Sequence, residues 1–323
     1  MTSHPQRILV TGGAGFIGSH LVDLLLSQGH QVTVLDNLST GQRAYLNPAA
    51  RFVEGDVRHK ADLAPIFESG LDAVMHIAGQ ASIRLSFMDP SADLNVNTLG
   101  TLNVLDLCMA HRVPRLLFAS SMTIYGNPQQ TPTPEDHAPL PLSNYAVTKY
   151  AAERYVHIAG ARQDLGFPLH VTSFRMFNVY GPRQSLSNAY QGVFAIFIGN
   201  VLRGEPINIH SDGEQSRDFV HVNDVVRAWA SALSDPRSYG QVINLGTGQP
   251  TSVNTLCDAV LESFGLDRAG YEVRYHPAQP GDIRVSAADI GRAKALLGWQ
   301  PIIPFSEGIG ETIAWAKQKV AGE

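Results

Sequence analysis

Cysteine is nearly absent: Cys108 and Cys257 are the only two in 323 residues. Each lies in apolar sequence, so a disulfide framework is excluded and two buried, reduced thiols are expected. Long hydrophobic runs are missing too. No stretch reaches the roughly 18 apolar residues of a spanning helix, and the opening "MTSHPQ" is too short and polar for a secretion signal. These absences lead to the expectation of a soluble, cytoplasmic protein with no membrane partner. Basic blocks are also lacking. Lys and Arg number 24 against 29 Asp and Glu, a net charge of −5, which argues against nucleic acid as a partner. It does not argue against a phosphorylated ligand, because one well-placed Arg outweighs distant net charge. The 12 histidines show no metal-ligand spacing, so no metal is expected, and His221 is read as a packing residue. Charged residues make up only 16%, which implies large buried elements. There is no internal repeat and no low-complexity segment. The length suits one large core or two modest domains.

What the chain has is alternation. "RILVTG", "HQVTVLD", "RFVEGD", "LDAVMHIAG", "PRLLFASS" and "PLHVTSFR" are strand-like apolar runs. Between them lie helical patterns: "FIGSHLVDLLLSQG", "KADLAPIFES", residues 92–111 and residues 144–162. Strand alternating with helix predicts an α/β fold, a Rossmann-like doubly wound parallel sheet. After about residue 180 the pattern changes to "VFAIFIGNVLRGE", "PINIH", "HVNDVVRAWASAL", "GQVINLG" and three late helices, the second being "AADIGRAKALLG". This predicts a smaller C-terminal α/β lobe. Residues 1–180, with 219–248 rejoining them, are expected to form the first domain, and 181–218 with 249–323 the lobe. The Pro-rich 127–144 is expected to be a surface loop beside the site.

Three glycines, Gly12, Gly15 and Gly18, stand at three-residue spacing between the first strand and the first helix. Glycine weakens a helix, so something must need the missing side chains. A strand, a glycine turn and a helix N-terminus form an anion site. Gly12 permits the tight turn, Gly15 lets a pyrophosphate approach, and Gly18 lets the helix pack close. Asp36 ends the second strand, 18 positions after Gly18. A carboxylate there accepts both ribose hydroxyls of adenosine and repels a 2′-phosphate, which favours NAD over NADP. Tyr145 and Lys149 are four apart on a predicted helix and share a face. A nearby ammonium and a positive nicotinamide favour phenolate, so the phenol becomes a general base near neutral pH. Ser121 ends a strand at the sheet edge where ligands bind in such folds, and can donate to a substrate oxygen.

Gly-x-x-Gly-x-x-Gly resembles the extended branch of the short-chain dehydrogenase/reductase family, with its NAD-dependent nucleotide-sugar epimerases and dehydratases. The resemblance runs through "TGGAGFIG", "DNLSTG", "EGDV", "HIAGQASI", "NVNTLGTLNVL", "FASSMTIYG", "YAVTK", "RMFNVYGPRQ", "GEQSRDFVHVNDV" and "PGDIRVSAADIGRAKALLGW", covering nearly the whole chain. It implies that Phe16 and Ile17 join the glycines against NAD. Asp36, Asn37, Ser39, Thr40 and Gly41 would lie around the ribose, with Asp56 and Val57 at the adenine. Ala78, Gly79, Asn97, Tyr145 and Lys149 would line the rest of the cofactor cleft. Ser121, Tyr145 and Lys149 would be the catalytic group. Asn178, Arg217, Arg284 and Asp282 would hold the diphosphate and nucleoside, with Gln279 where some hexose epimerases have a second Arg. Dehydrating and decarboxylating members carry an acidic residue just after the serine. Here Met122 and Thr123 follow Ser121, neither able to serve as acid or base. The implied activity is therefore 4-epimerisation of a nucleotide sugar of the UDP-glucose type through a transient 4-keto sugar. The alternatives are a dehydratase or decarboxylase of the family and a non-catalytic NAD-binding sensor. Ser286 stands where some members have a bulky Tyr, which implies room for N-acetylhexosamines; its alternative use is to cap the following helix. Apolar residues beyond one core stripe, namely Val96, Leu99, Leu102, Val147, Tyr150 and Tyr155, imply a homodimer.

Overall fold

The computed structural model describes residues 4–186, 192–278 and 283–321. The run Arg7–Thr11 forms β1, buried after its first residue, and the glycine turn leads into α1 (Phe16–Ser27). Helix α1 buries Gly18, Leu21, Val22 and Leu25, one helical stripe, against the sheet. Strand β2 (Gln31–Asp36), β3 (Arg51–Glu54), α2 (Lys60–Glu68) and β4 (Ala73–His76) follow. Two short helices, α3 (Ile83–Met88) and α4 (Pro90–Leu94), then lead through a π-helical turn at Asn95–Leu99 into α5 (Gly100–Ala110). The alternation ends with β5 (Arg115–Ser121), α6 (Asn144–Gly160) and β6 (His170–Met176).

The remainder comprises β7 (Asn178–Tyr180), α7 (Val193–Arg203), β8 (Ile207–His210), β9 (Ser216–His221) and α8 (Val222–Ala232). After these come β10 (Gln241–Leu245), β11 (Pro250–Ser252), α9 (Val253–Ser263), β12 (Val273–His276), α10 (Gly291–Leu297) and α11 (Phe305–Ala321).

A seven-stranded sheet has the order β10-β6-β5-β4-β1-β2-β3, with every pair parallel. Strand order reverses between β1 and β4, so a crevice opens at the strands' C-terminal ends there, the place where such sheets bind ligands. One face carries α1 and α8 over Leu21, Val22, Leu25, Val225 and Trp229. The other carries α2, α5 and α6 over Leu63, Phe67, Val104, Cys108 and Val156. The C-terminal elements hold a separate apolar cluster around Phe194, Phe197, Leu256 and Ile313. Their strands form two small sheets, β11-β9-β7 and β12-β8. The doubly wound sheet with a smaller C-terminal lobe is the expected fold class. Both cysteines are free and buried. Among the described residues no helix is long and apolar enough to cross a membrane.

Several local expectations are corrected. The helix expected over 92–111 starts at Pro90, where the Asp89 side chain caps it by accepting from the Ala92 amide, and the π-turn interrupts it. The segment 287–298 is helical only over Gly291–Leu297. Ser286 therefore caps nothing, and its hydroxyl faces the Met122 sulfur at 3.8 Å. The 127–144 segment is a largely surface loop, as expected, but it is pinned at two points. Thr133 and Glu135 are buried, and the Thr133 amide donates to the Ala287 carbonyl. Arg175 Nη1 donates to the Glu135 carbonyl and Asn244 Nδ2 to that of Thr133.

Candidate active site

The site begins at the glycine turn. Gly12 has φ +74°, and a Cβ there would lie 2.8 Å from the Ala78 amide nitrogen. At Gly18 a Cβ would sit 2.8 Å from both the Gly12 carbonyl carbon and Gly13 Cα. Gly15 would meet only the Gly12 oxygen, at 3.2 Å, so its outer side is open. Gly15 is also the N-cap of α1 and supplies no side-chain cap, and the first turn holds no acidic residue. The first amides of α1 thus lack a side-chain partner at a positive dipole end, which fits a pyrophosphate. Gly12, Gly15, Phe16 and Ile17 are half-exposed along this edge.

Asp36 closes the turn. Its carboxylate accepts from the Ala14 amide at 3.0 Å and the Leu38 amide at 2.8 Å. Burial pushes this group up, and those two amides work against the rise. Gly41 is required beside it, since a Cβ there would lie 2.8 Å from Asp36 Oδ1. Asn37, Ser39 and Thr40 are exposed on the loop beyond. Asp56 is gripped by Arg58 at 3.0 and 2.7 Å, which holds its carboxyl well below the usual range, and it accepts from Asn37. The Val57 side chain belongs to the core. Ala78 is half-buried and Gly79 exposed on the opposite wall. Asn97 is one layer back. It is 1% exposed and its amide is committed to Gln80, Asp93 and Thr148.

Ser143 caps α6 by accepting from the Ala146 amide, which sets Tyr145 in the first turn and Lys149 in the second. Tyr145 is hydrogen bonded to Ser121. Burial pushes its hydroxyl up to about 12, the Ser121 bond opposes this, and the Asp93 charge adds to it. Lys149 is 4% exposed, with its ammonium 4.3 Å above the Phe118 ring. Burial lowers its pKa to about 8, while Asp93 and Glu153 pull it back up. Ser121 Oγ accepts from the Thr123 amide at 3.2 Å and lies 2.9 Å from Thr123 Oγ1. Met122 is buried.

On the substrate side, Asn178 opens β7 with a buried Oδ1 that has no partner. Arg217 on β9 donates to the Ser216 and Ile283 carbonyls at 2.8 and 2.6 Å. Arg284 is held at the surface by Asp212, at 2.7 and 3.0 Å. Asp282 and Gln279 lie outside the described residues. Ser286 is buried beside a cavity of about 10 Å³ shared with Met122, Tyr125 and Phe177.

Sequence reasoning missed the polar layer behind the pair. Glu153 accepts from Arg175 Nη2 at 2.6 Å, Arg175 Nε at 3.0 Å and Ser120 Oγ at 2.7 Å. Asp93 accepts from Thr148 Oγ1 at 2.6 Å, Gln80 Nε2 at 2.7 Å and Asn97 Nδ2 at 3.1 Å. The available signals were spacings: Glu153 continues the 145, 149 series, and Asp93 stands four before Asn97.

Residues 8–246 match the model of the NAD dependent epimerase/dehydratase family, and the chain belongs to that family. It is 39% identical over 321 residues to a UDP-glucose 4-epimerase of Mycolicibacterium smegmatis, covering 97% of this chain and 99% of the relative. The structure of a UDP-glucose 4-epimerase of Thermotoga maritima, solved with UDP-glucose, superposes with a TM-score of 0.92 at 39% identity, covering 97% of this chain and 99% of that one. One of Thermus thermophilus, in complex with NAD, gives 0.89 at 39% identity, covering 96% and 99%. The protein is thus an NAD-dependent enzyme of the nucleotide-sugar epimerase/dehydratase family, and the uncapped helix edge above fits that cofactor.

Proposed function

We propose that the protein is an NAD-dependent nucleotide-sugar 4-epimerase that interconverts UDP-glucose and UDP-galactose through a transient 4-keto sugar. The observation that carries this reading is the absence of any acid following Ser121. Met122 is apolar, and Thr123 is bonded to Ser121. The nearby carboxylates, Asp93 and Glu153, are each already committed to three donors. Elimination of water needs a free acid at the sugar; epimerisation needs only a base at the C4 hydroxyl. Gly12, Gly15, Phe16 and Ile17 would hold the pyrophosphate and Asp36 the ribose, with Gly18 letting α1 pack close enough to present them.

NAD, held at the glycine turn and Asp36, would supply a reversible hydride acceptor for the sugar's C4. Tyr145 accepts the C4 hydroxyl proton and later gives it back, and Lys149 stabilises its phenolate. Ser121 donates to the reacting oxygen. Asn178 and Arg217 hold the diphosphate while the sugar turns. NMR of UDP-glucose incubated with the enzyme should show UDP-galactose at conserved mass. A product that has lost water would overturn the assignment.

N-acetylhexosamines enter the same reading through Ser286. The 10 Å³ beside it is too small for an acetamido group, so acceptance depends on Met122, a flexible side chain, moving aside. UDP-N-acetylglucosamine should turn over, and Ser286→Tyr should abolish that activity first. A homodimer belongs to the reading as well. Leu94, Leu99, Val147, Tyr155 and Ile158 are exposed on α4, the π-turn and α6, whereas Val96, Leu102 and Tyr150 are half-buried. A two-fold pairing of this face buries the exposed set. Light scattering at micromolar concentration should give twice the chain mass, and a monomer mass would refute it.

A further inference from the structure

Asp93 is a carboxylate in the wrong place for an ordinary capping or surface role. It is 1% exposed, and its three hydrogen-bond donors, Thr148, Gln80 and Asn97, are all neutral. Burying a carboxylate without a countercharge is costly, so something must gain from the charge. Asn97, bonded to Asp93 at 3.1 Å, and Lys149 flank one point: a Cβ at Gly79 would lie 2.9 Å from Asn97 Oδ1 and 3.8 Å from Lys149 Nζ, and Thr148, the shortest partner of Asp93, immediately precedes Lys149 on α6. We propose that Asp93 is a positioning residue whose buried carboxylate holds Lys149 as an ammonium beside Tyr145. This rests on the reading of Tyr145 and Lys149 as the reacting pair.

Charged and titratable groups approach the pair from every packed element, and two carboxylates, Asp93 first and Glu153 second, favour the Lys149 ammonium. His76 on β4 lies between Thr11 Oγ1 at 2.7 Å and Thr101 Oγ1 at 3.0 Å. Burial pushes His76 down to about 3, so it is neutral at working pH. Glu153, one turn beyond Lys149, also favours the ammonium but is bonded twice to Arg175 on β6, so its charge is shared with a cation. Tyr125, after β5, donates to Asn244 and accepts from Arg175. Arg84 on α3 is exposed. Asp93 is therefore the buried carboxylate of the two that has no cation bonded to it. The same charge that keeps Lys149 protonated also opposes ionisation of Tyr145. Its removal must lower both titrations together, whereas a purely structural loss lowers activity at all pH and moves neither.

The test is Asp93→Asn in the full-length protein with its cofactor as purified. The phenol titration is read as the ultraviolet difference between each protein and its Tyr145→Phe counterpart, which needs no substrate. The high-pH fall of kcat on UDP-glucose is the second readout. Both should move to lower pH by on the order of one unit, the usual size of a single close-charge effect, and Asp93→Glu should restore them. Asp93→Ser carries the same expectation should the amide disturb folding. Titrations left in place while activity falls would overturn the proposal. A parent enzyme inactive on UDP-glucose would count against the proposed function, and the phenol titration would still decide the role of Asp93.

Discussion

Gly18 and Gly15 look alike in sequence and differ sharply in what surrounds them. Gly18 is inside α1, where alanine ordinarily gains about 0.5–1 kcal/mol over glycine. Here the new Cβ would press on the Gly12 carbonyl oxygen, 2.8 Å from the carbonyl carbon and from Gly13 Cα. All are backbone, and none can rotate away. Overpacking of this kind costs about 1–3 kcal/mol, and rigid neighbours push it to the top of that range. The net for Gly18→Ala is therefore about 2 kcal/mol of lost stability, several degrees of melting temperature. Gly15→Ala meets one atom at 3.2 Å with an extended backbone, φ −81° and ψ −178°. It should melt within a degree or two of the parent. Its methyl would instead project where the pyrophosphate must approach, so cofactor content should fall. Differential scanning fluorimetry, paired with acid extraction of the bound nucleotide, reads both quantities. A Gly18→Ala protein that melts at or above the parent would refute the packing account. A Gly15→Ala protein with full cofactor would refute the pyrophosphate account.

Tyr145→Phe should keep fold and cofactor and lose roughly 10²–10⁴ in kcat, the usual contribution of a positioned acid–base group; activity within a few-fold of the parent would refute it. Lys149→Met should raise the melting temperature near pH 7. The folded pKa lies at about 8 against an ordinary 10.5, so the unfolded chain binds more protons between those values. The penalty is full below about 8 and disappears as pH rises to 10.5, and the advantage of Met should fade over that window in unfolding curves. Arg284→Ala removes an exposed pair with Asp212 and should leave the melting temperature close to that of the parent. A several-fold rise in KM from that variant then reports substrate contact, and an unchanged KM removes Arg284 from the phosphate site.

The large sheet was legible because its strands are short apolar runs in regular alternation with amphipathic helices. The glycine turn and Asp36 were legible because their spacing is set by backbone geometry. The small sheets were not. Strands such as "NVY" at Asn178–Tyr180 and "PTS" at Pro250–Ser252 are too short to show alternation, and their pairing comes from the lobe around them. The π-turn is invisible because "NVNTL" has the composition of ordinary helix. The pairing of Arg284 with Asp212 spans 72 positions and obeys no local rule. The polar layer under Tyr145 and Lys149 was half-legible. Glu153 falls on their helical face by spacing alone, but its partner Arg175 comes from strand β6, 22 positions on.

The π-turn at Asn95–Leu99 sets a rotational phase between two stretches of one helical segment. Asp93 before it and Asn97 within it are turned toward Thr148; on its C-terminal side, Val104, Leu105 and Cys108 are turned into the apolar layer. One residue is worth about 100° of helix rotation. A single-residue deletion that regularised this turn would swing one of these two sets away from its target, however carefully the rest of the chain were kept. Length in this segment is thus under tighter constraint than composition. Substitutions at the exposed Leu94 or Leu99 leave the phase untouched, but a one-residue deletion nearby forfeits either the polar layer behind the lysine or the packing of α5.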